Sequence, residues 1–214
     1  MSDIPPLPEP PPGTAELFGA AWPQAQQYAE LLATQGVIAG VVGPREVPRI
    51  WERHLRNSVA VSPFVGDGVD VVDLGSGAGL PGIPLALARP DLAVTLLEPL
   101  ARRVRFLQLA ADLLPPSTRI MQARADAAPA EFATVVCRAV APLPRLAPMA
   151  RGLLHAGTGQ LVALKGRTAA DEVDQVRNVV AADRRTRGWA PSSINVHDVE
   201  WPDPATVVVA QWTR

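Results

Sequence analysis

Val71-Val72-Asp73-Leu74-Gly75-Ser76-Gly77-Ala78-Gly79 is the stretch that decides how this chain is read. A short apolar, β-branched run carries one acid and passes directly into three alternating glycines. An apolar run of that length suits a strand buried on both faces. Glycines placed straight after it permit a tight turn and let a ligand approach main-chain amides at a helix start. Residues 80–88 then suit a helix, with Pro81 and Pro84 confining its regular part.

Working outward, the same alternation repeats. Residues 92–97, 118–123, 132–137 and 160–164 read as further strands. Residues 100–114, 143–155 and 169–182 read as helices. Strands alternating with helices predict an α/β, Rossmann-like, doubly wound parallel sheet with ligands at the carboxyl ends of its strands. Two last strands, 193–199 and 206–212, have no helix between them and predict a hairpin closing the sheet edge. The expected sheet is therefore seven-stranded and mostly parallel.

The N-terminal part differs. Residues 14–35 are helical in pattern, broken at Pro23, and a second helix is expected over 44–55. Residues 1–12 hold six of the 23 prolines and predict a disordered or polyproline-II leader. The expected organisation is a leader over 1–12, a helical cap over 13–65 and a ligand-binding domain over 66–214. Cap and domain are expected to form one globular unit.

A length of 214 residues fits one such unit with no need of a metal or disulfide. The single cysteine, Cys137, excludes a disulfide framework. The three histidines show no ligand spacing, so no metal is expected. No signal peptide and no uncharged stretch of ~18–20 residues is visible, which predicts a cytoplasmic protein without a membrane partner. A monomer is expected. The 20 basic and 21 acidic residues exclude nucleic-acid coating by bulk charge. The distribution is uneven, however. Residues 45–188 hold 19 basic and 14 acidic residues, net +5, between flanks that together carry net −6. A local basic face for nucleic acid is compatible with that pattern, with an affinity that weakens as salt rises.

The acid before the glycines separates cofactor classes. Gly77, Gly79 and Gly82 satisfy the G-x-G-x-x-G spacing of dinucleotide sites, but Asp73 would repel a pyrophosphate. It suits a cofactor with an ammonium group and no phosphate, which S-adenosylmethionine provides. Gly75, Gly77 and Gly79 would lie against it. Glu98, ending the second strand, can accept from ribose hydroxyls, a demand that NAD shares. Asp126, with Ala125, follows the third strand and can receive the adenine amino group; a helix N-cap is the alternative.

The acceptor end is read from 136–142 and 163–166. No Asn/Asp-Pro-Pro-aromatic loop for amine methylation is present, and Cys137 lies in an apolar run as a structural thiol. Arg138 follows a buried strand and needs acceptors, which a substrate carbonyl, a phosphate or a cofactor carboxylate could supply. Lys165 is the only lysine beside 19 arginines and stands at the same rim. No general base stands out. That fits an acceptor with a free lone pair, such as guanine N7.

Asp73-Leu-Gly-Ser-Gly-Ala-Gly-Leu-Pro-Gly-Ile-Pro-Leu85, Arg103-Val-Arg-Phe-Leu107, Arg138-Ala-Val-Ala141 and Ala163-Leu-Lys165-Gly166 resemble the glucose-inhibited division protein B family, the bacterial 16S rRNA guanine-N7 methyltransferases. The resemblance runs from about residue 41 onward. It implies a class I S-adenosylmethionine-dependent methyltransferase. The implied substrate is the guanine conventionally numbered 527, in 16S rRNA of the 30S subunit or its precursor. It also implies cofactor contacts at Gly75, Leu80, Ala125, Asp126 and Arg138. Arg53-His54-Leu-Arg-Asn57-Ser58 looks like the family's Arg-His-x-x-Asp-Ser segment, with Asn57 where aspartate is usual; Asp126 likewise replaces a glutamate. On this reading Arg138 and Lys165 hold the target base or a nearby phosphate. Lys165, His54 and Arg124 contact substrate, and Arg102, Arg103 and Arg105 assist docking. The alternatives are a methyltransferase of another substrate, or a non-catalytic ribosome-assembly factor that keeps the cofactor pocket.

Overall fold

A computed structural model describes residues 5–129, 131–155, 158–182 and 188–213. Strands β1 (Asp70–Leu74), β2 (Ala93–Leu97), β3 (Arg119–Met121), β4 (Thr134–Arg138), β5 (Gly159–Lys165), β6 (Ser193–Val199) and β7 (Ala205–Trp212) form one sheet. Their order is β3-β2-β1-β4-β5-β7-β6. The first five are parallel, and β7 runs antiparallel to both β5 and β6. The order reverses between β1 and β4, so the carboxyl ends of these two strands flank the switch point where ligands bind in such sheets.

Period-two alternation along the strands divides the core into two layers. Val71, Val136, Val162, Leu164, Val207 and Val209 point to one face. That face is covered by α4 (Gly82–Ala88), α5 (Ala101–Leu109) and the N-terminal cap. Val72, Leu74, Val135, Cys137, Leu161 and Ala163 point to the other, under α6 (Leu143–Leu153) and α7 (Ala169–Ala182). Asp73 and Arg138 therefore face the cap, while Lys165 faces α6 and α7. Although their side chains leave opposite faces, Arg138 and Lys165 meet at the carboxyl rim, where both line one cavity.

The cap is less regular than expected. Helices α1 (Thr14–Phe18) and α2 (Trp22–Leu31) continue into a wide turn at Leu32–Gly36. The segment expected as one helix over 44–55 is a tight turn, Pro44–Arg49, then a wide one, Ile50–Arg56, then the short α3 (Asn57–Val59). Pro48 removes an amide donor there and prevents a continuous α-helical ladder.

The leader is also different from residue 5 onward; residues 1–4 lie outside the described residues. Leu7 packs against the cap-side core, and the Trp51 indole donates to the Pro8 carbonyl at 2.8 Å. Arg56 organises the rest. Its guanidinium donates to Pro12 O (3.2 Å), Thr14 Oγ1 (3.0 Å), Pro202 O (2.7 Å) and both Asp203 oxygens (2.7 and 3.1 Å). One side chain, 10% exposed, thus ties leader, cap and the β6–β7 turn together. Its rigid fork of donors fits this task and lysine's single ammonium does not. Arg56→Ala should leave Asp203 and two carbonyls short of donors and destabilise the fold by roughly 2–4 kcal/mol. Thermal denaturation should report a midpoint lowered by roughly 5–15 °C.

Candidate active site

The turn after β1 is built from left-handed glycines. Gly75, Gly77 and Gly79 have φ of 71°, 59° and 94°. Gly75 and Ser76 amides donate to Leu97 O (2.8 and 3.1 Å), which fastens the turn to the end of β2. From the cap, Tyr28 Oη donates to Ala78 O at 2.7 Å. Gly82 is required by proximity: a Cβ there would stand 2.6 Å from Asp73 Oδ2 and 2.5 Å from Leu96 Cδ2.

Asp73 follows its strand face. Its carboxylate turns under the start of α4, where Oδ2 accepts from the Gly82 amide at 3.1 Å. It is fully buried, and Oδ1 has no partner. Burial pushes this carboxyl up to about 7, against the pull of its hydrogen bonds. Glu98 is committed too. Its Oε2 accepts from Gly77 N and its Oε1 from Leu100 N, both at 2.9 Å, and the residue is 1% exposed. The expectation that Glu98 receives ribose hydroxyls meets a competitor here. Two main-chain amides, one of them at the entry to α5, already use both oxygens.

A cavity of about 570 Å³ opens beside this turn on the α6 side. Gly75, Ala125 and Asp126 line it. Leu97, Pro99, Met149 and Val140 complete an apolar wall. Its size is that of a small-molecule site, and flat apolar walls with one carboxylate at the mouth suit an adenine ring. Gly77, Gly79 and Leu80 stand back from it within the turn. Asp126 is paired with Arg124 at 3.2 Å, and both side chains are well exposed. Asp73 borders neither cavity and its unpaired Oδ1 is buried behind the glycine turn, so the fit to the cofactor rests on the smaller cavity's size, its apolar walls and Asp126. The residues present therefore fit S-adenosylmethionine.

A second, wider cavity of about 740 Å³ adjoins it. Arg49, Arg53 and Asn57 of the cap, Arg138, Lys165 and the β6–β7 turn at Asp203 contribute to its walls. Val140 borders both cavities. Arg138 donates to Arg53 O at 2.8 Å and to His54 Nδ1 at 2.9 Å. A guanidinium can only donate, so Nδ1 accepts and the imidazole proton sits on Nε2, 3.1 Å from Glu46 Oε2. Burial first, then the Arg138 charge, pushes His54 down to about 4. The ring is thus neutral near pH 7, is 7% exposed and orients Arg138; it does not itself line the cleft. The substrate-contact reading of His54 is corrected on this ground. Lys165 is engaged as well: its Nζ donates to Ala141 O (2.8 Å) and Glu172 Oε2 (2.7 Å). Burial pushes the Cys137 thiol up to about 12, which leaves it unreactive.

Arg56, Glu172, Met149 and Val140 were not singled out from sequence. Arg56 and Glu172 act through long-range pairs that no local spacing announces. Met149 lies on α6 one turn beyond Arg145, and its position over the sheet rim could have been read from strand order.

The fold and this paired-cavity site define a class I S-adenosylmethionine-dependent methyltransferase. Solved structures of the same fold include the apo S-adenosylmethionine-dependent methyltransferase SibL (TM-score 0.59, 18% identity, 94% of this chain and 74% of that one). Another is M. jannaschii TYW2 in complex with AdoMet (TM-score 0.54, 17% identity, 73% and 74%). The chain belongs to the GidB family, rRNA small subunit methyltransferase G, whose model matches residues 21–194. Relatives named ribosomal RNA small subunit methyltransferase G include that of Thermobifida fusca, 50% identical over 91% of this chain and 81% of its own length. The protein of Mycobacterium sp. strain JLS is 47% identical over 94% and 90%. Among the described residues no helix is long and apolar enough to cross a membrane. Nor does any group of three or more His, Cys, Asp or Glu among them gather as a metal site.

Proposed function

We propose that this protein methylates N7 of guanine 527, conventional numbering, in 16S rRNA of the small ribosomal subunit or its precursor. Membership of the small-subunit rRNA methyltransferase G family supports the rRNA. The observation that carries the choice of atom is the state of the cleft. Of the carboxylates that line it, Glu172 and Asp203 are half-buried and paired with Lys165 and Arg56, Glu52 is exposed on the cap wall, and its nearest histidine is bound to Arg138. A cleft arranged this way offers orientation rather than proton abstraction. Guanine N7 carries a free lone pair and needs no base.

Bound in the smaller cavity, S-adenosylmethionine supplies a methyl already activated on a sulfonium. The chain's own part is positioning. Asp73 anchors the glycine turn, and the apolar wall of Leu97, Pro99 and Met149 takes the adenine. Arg138, held at a fixed angle by Arg53 O and His54, directs its remaining donors toward the base O6 or a neighbouring phosphate. It acts by orientation, because the purine gains positive charge as N7 reacts and a nearby cation opposes that charge. Arg49 and Arg53 extend the positive wall, and exposed Arg102, Arg105 and Arg124 lie where an RNA backbone can be met. The cap supplies one wall of the cleft.

Purified protein with labelled S-adenosylmethionine and 30S subunits from a strain lacking the gene tests the proposal. Nucleoside mass spectrometry should find one N7-methylguanine, mapped to that position. Transfer to a different nucleotide, or none to 30S particles or their precursors, would overturn it.

A further inference from the structure

The loop that joins β4 to α6, residues 139–142, is the wall between the two cavities. Ala139 has φ 54°, the one non-glycine residue among those described with a left-handed backbone. A non-glycine residue held there persists only where its surroundings impose the conformation. Val140 follows it and borders both cavities. It also covers the cofactor turn, since a Cβ at Gly75 would lie 3.1 Å from Val140 Cγ2.

What imposes the conformation lies on the far face of the sheet. Glu172 of α7 accepts from the Leu143 amide at 2.8 Å and from Lys165 Nζ at 2.7 Å. Lys165 Nζ in turn donates to Ala141 O at 2.8 Å. Thr168 Oγ1 donates to the second Glu172 oxygen at 3.2 Å. Both ends of the Ala141–Leu143 turn are therefore fastened to one carboxylate, directly at the amide and through the ammonium at the carbonyl. The Lys165 and Glu172 side chains are only 10% and 15% exposed, so their pairing is little screened by water.

We propose that the Lys165–Glu172 pair is a positioning clamp that fixes Val140 as the partition between cofactor and acceptor, and so sets the gap the methyl group crosses. Lys165 and Glu172 also line the wider cavity, and their polar atoms are committed to the loop through the Ala141 carbonyl and the Leu143 amide. The inference rests on the proposed function only in taking the wider cleft as the acceptor's place. An in-line transfer is sensitive to such a wall: displacement of about 1 Å costs about 100-fold in rate.

Two readouts test the clamp. Hydrogen exchange on the free protein needs no substrate. Glu172→Gln and Lys165→Met should speed exchange of the Val140, Ala141 and Leu143 amides while leaving β1 and α4 unchanged, and Lys165→Arg should restore protection. Unchanged exchange in both variants overturns the proposal. In turnover, Glu172→Gln should lower kcat by about 10- to 100-fold with KM for S-adenosylmethionine changed less than about threefold. Val140→Ala should do the same, and the double variant should be no slower than about the worse single one, because both act on one element. Fold-losses that multiply, or a loss confined to KM, overturn it. If wild-type protein methylates no 30S particle, the proposed function fails, whereas the exchange experiment still decides the clamp.

Discussion

Asp73→Asn should lower affinity for S-adenosylmethionine by about 10- to 100-fold, because the glycine turn beside the cofactor cavity is held by the charge-assisted bond from the Gly82 amide to this carboxylate. It should also make the free protein more stable at pH 8. The two effects share one cause. The carboxyl is fully buried with an unpaired oxygen, and burial raises it to about 7. In the unfolded chain an aspartate titrates near ~3.9. Between those values the folded protein holds a proton that the unfolded chain has released. Stability therefore falls as pH rises from about 4 to about 7, and levels off above. The full loss is up to roughly 4 kcal/mol, taking each pKa unit as about 1.4 kcal/mol. Asparagine carries no such proton, so its denaturation midpoint should lack that slope. Ligand binding runs the other way: a cationic partner favours the ionised form, so wild-type binding at pH 6 should release a proton. Calorimetry in buffers of different ionisation enthalpy measures this. Unaltered affinity in Asp73→Asn, with no proton release in the wild type, would refute the role.

Arg138→Leu should abolish most methyl transfer, lowering kcat/KM on 30S subunits by about 100- to 1000-fold, with cofactor affinity changed less than about threefold. The asymmetry follows from position. Arg138 borders the wider cavity and not the smaller one. That placement disagrees with a cofactor contact for Arg138, which the resemblance implies. A loss of cofactor affinity equal to the loss in rate would restore that contact. Arg138→Lys should rescue poorly, since one ammonium cannot hold Arg53 O and His54 Nδ1 while still facing substrate. A spectroscopic marker accompanies the change. With the Arg138 charge gone, the His54 titration should move up from about 4 toward its ordinary value, observable by NMR of the ring protons. Burial would still keep it below 6.5. Because the folded ring resists protonation, the wild-type fold loses stability as pH falls from about 6.5 to about 4.

The sheet was legible in the sequence because most strands carry their own apolar run and every parallel crossover except β3 to β4 its own helix. The site was legible only in part. The glycine turn announced a cofactor, and Gly75, Ala125 and Asp126 do line the cavity beside it. The partners of the chosen charges were not visible. Counting by twos from Val71 places Asp73 on the α4 face, but nothing local reveals that Gly82 lacks a side chain in order to receive it. Glu98 reads as a free acid until the amides of Gly77 and Leu100 are brought to it. The proline-rich leader misled for a general reason. Composition describes what a segment can bury by itself, whereas residues 5–12 are held by Trp51 and Arg56, more than forty residues away along the chain. Lys165 drew notice as the lone lysine, and its partner Glu172 was missed because the contact depends on how α7 lies over the sheet.

The strand order has a consequence for how the molecule is made. β7 stands between β5 and β6 and pairs with β5 along its whole length, from Gly159 opposite Trp212 to Lys165 opposite Thr206. Until residues 205–212 have been synthesised, β5 remains an open edge carrying unpaired main-chain groups and a row of apolar side chains. Such edges invite pairing with other chains. The cofactor turn and the first four strands can assemble earlier, but Lys165 and the loop it fastens acquire their final support last. Competence for transfer should thus appear late in the birth of each molecule, after its ability to recognise the cofactor.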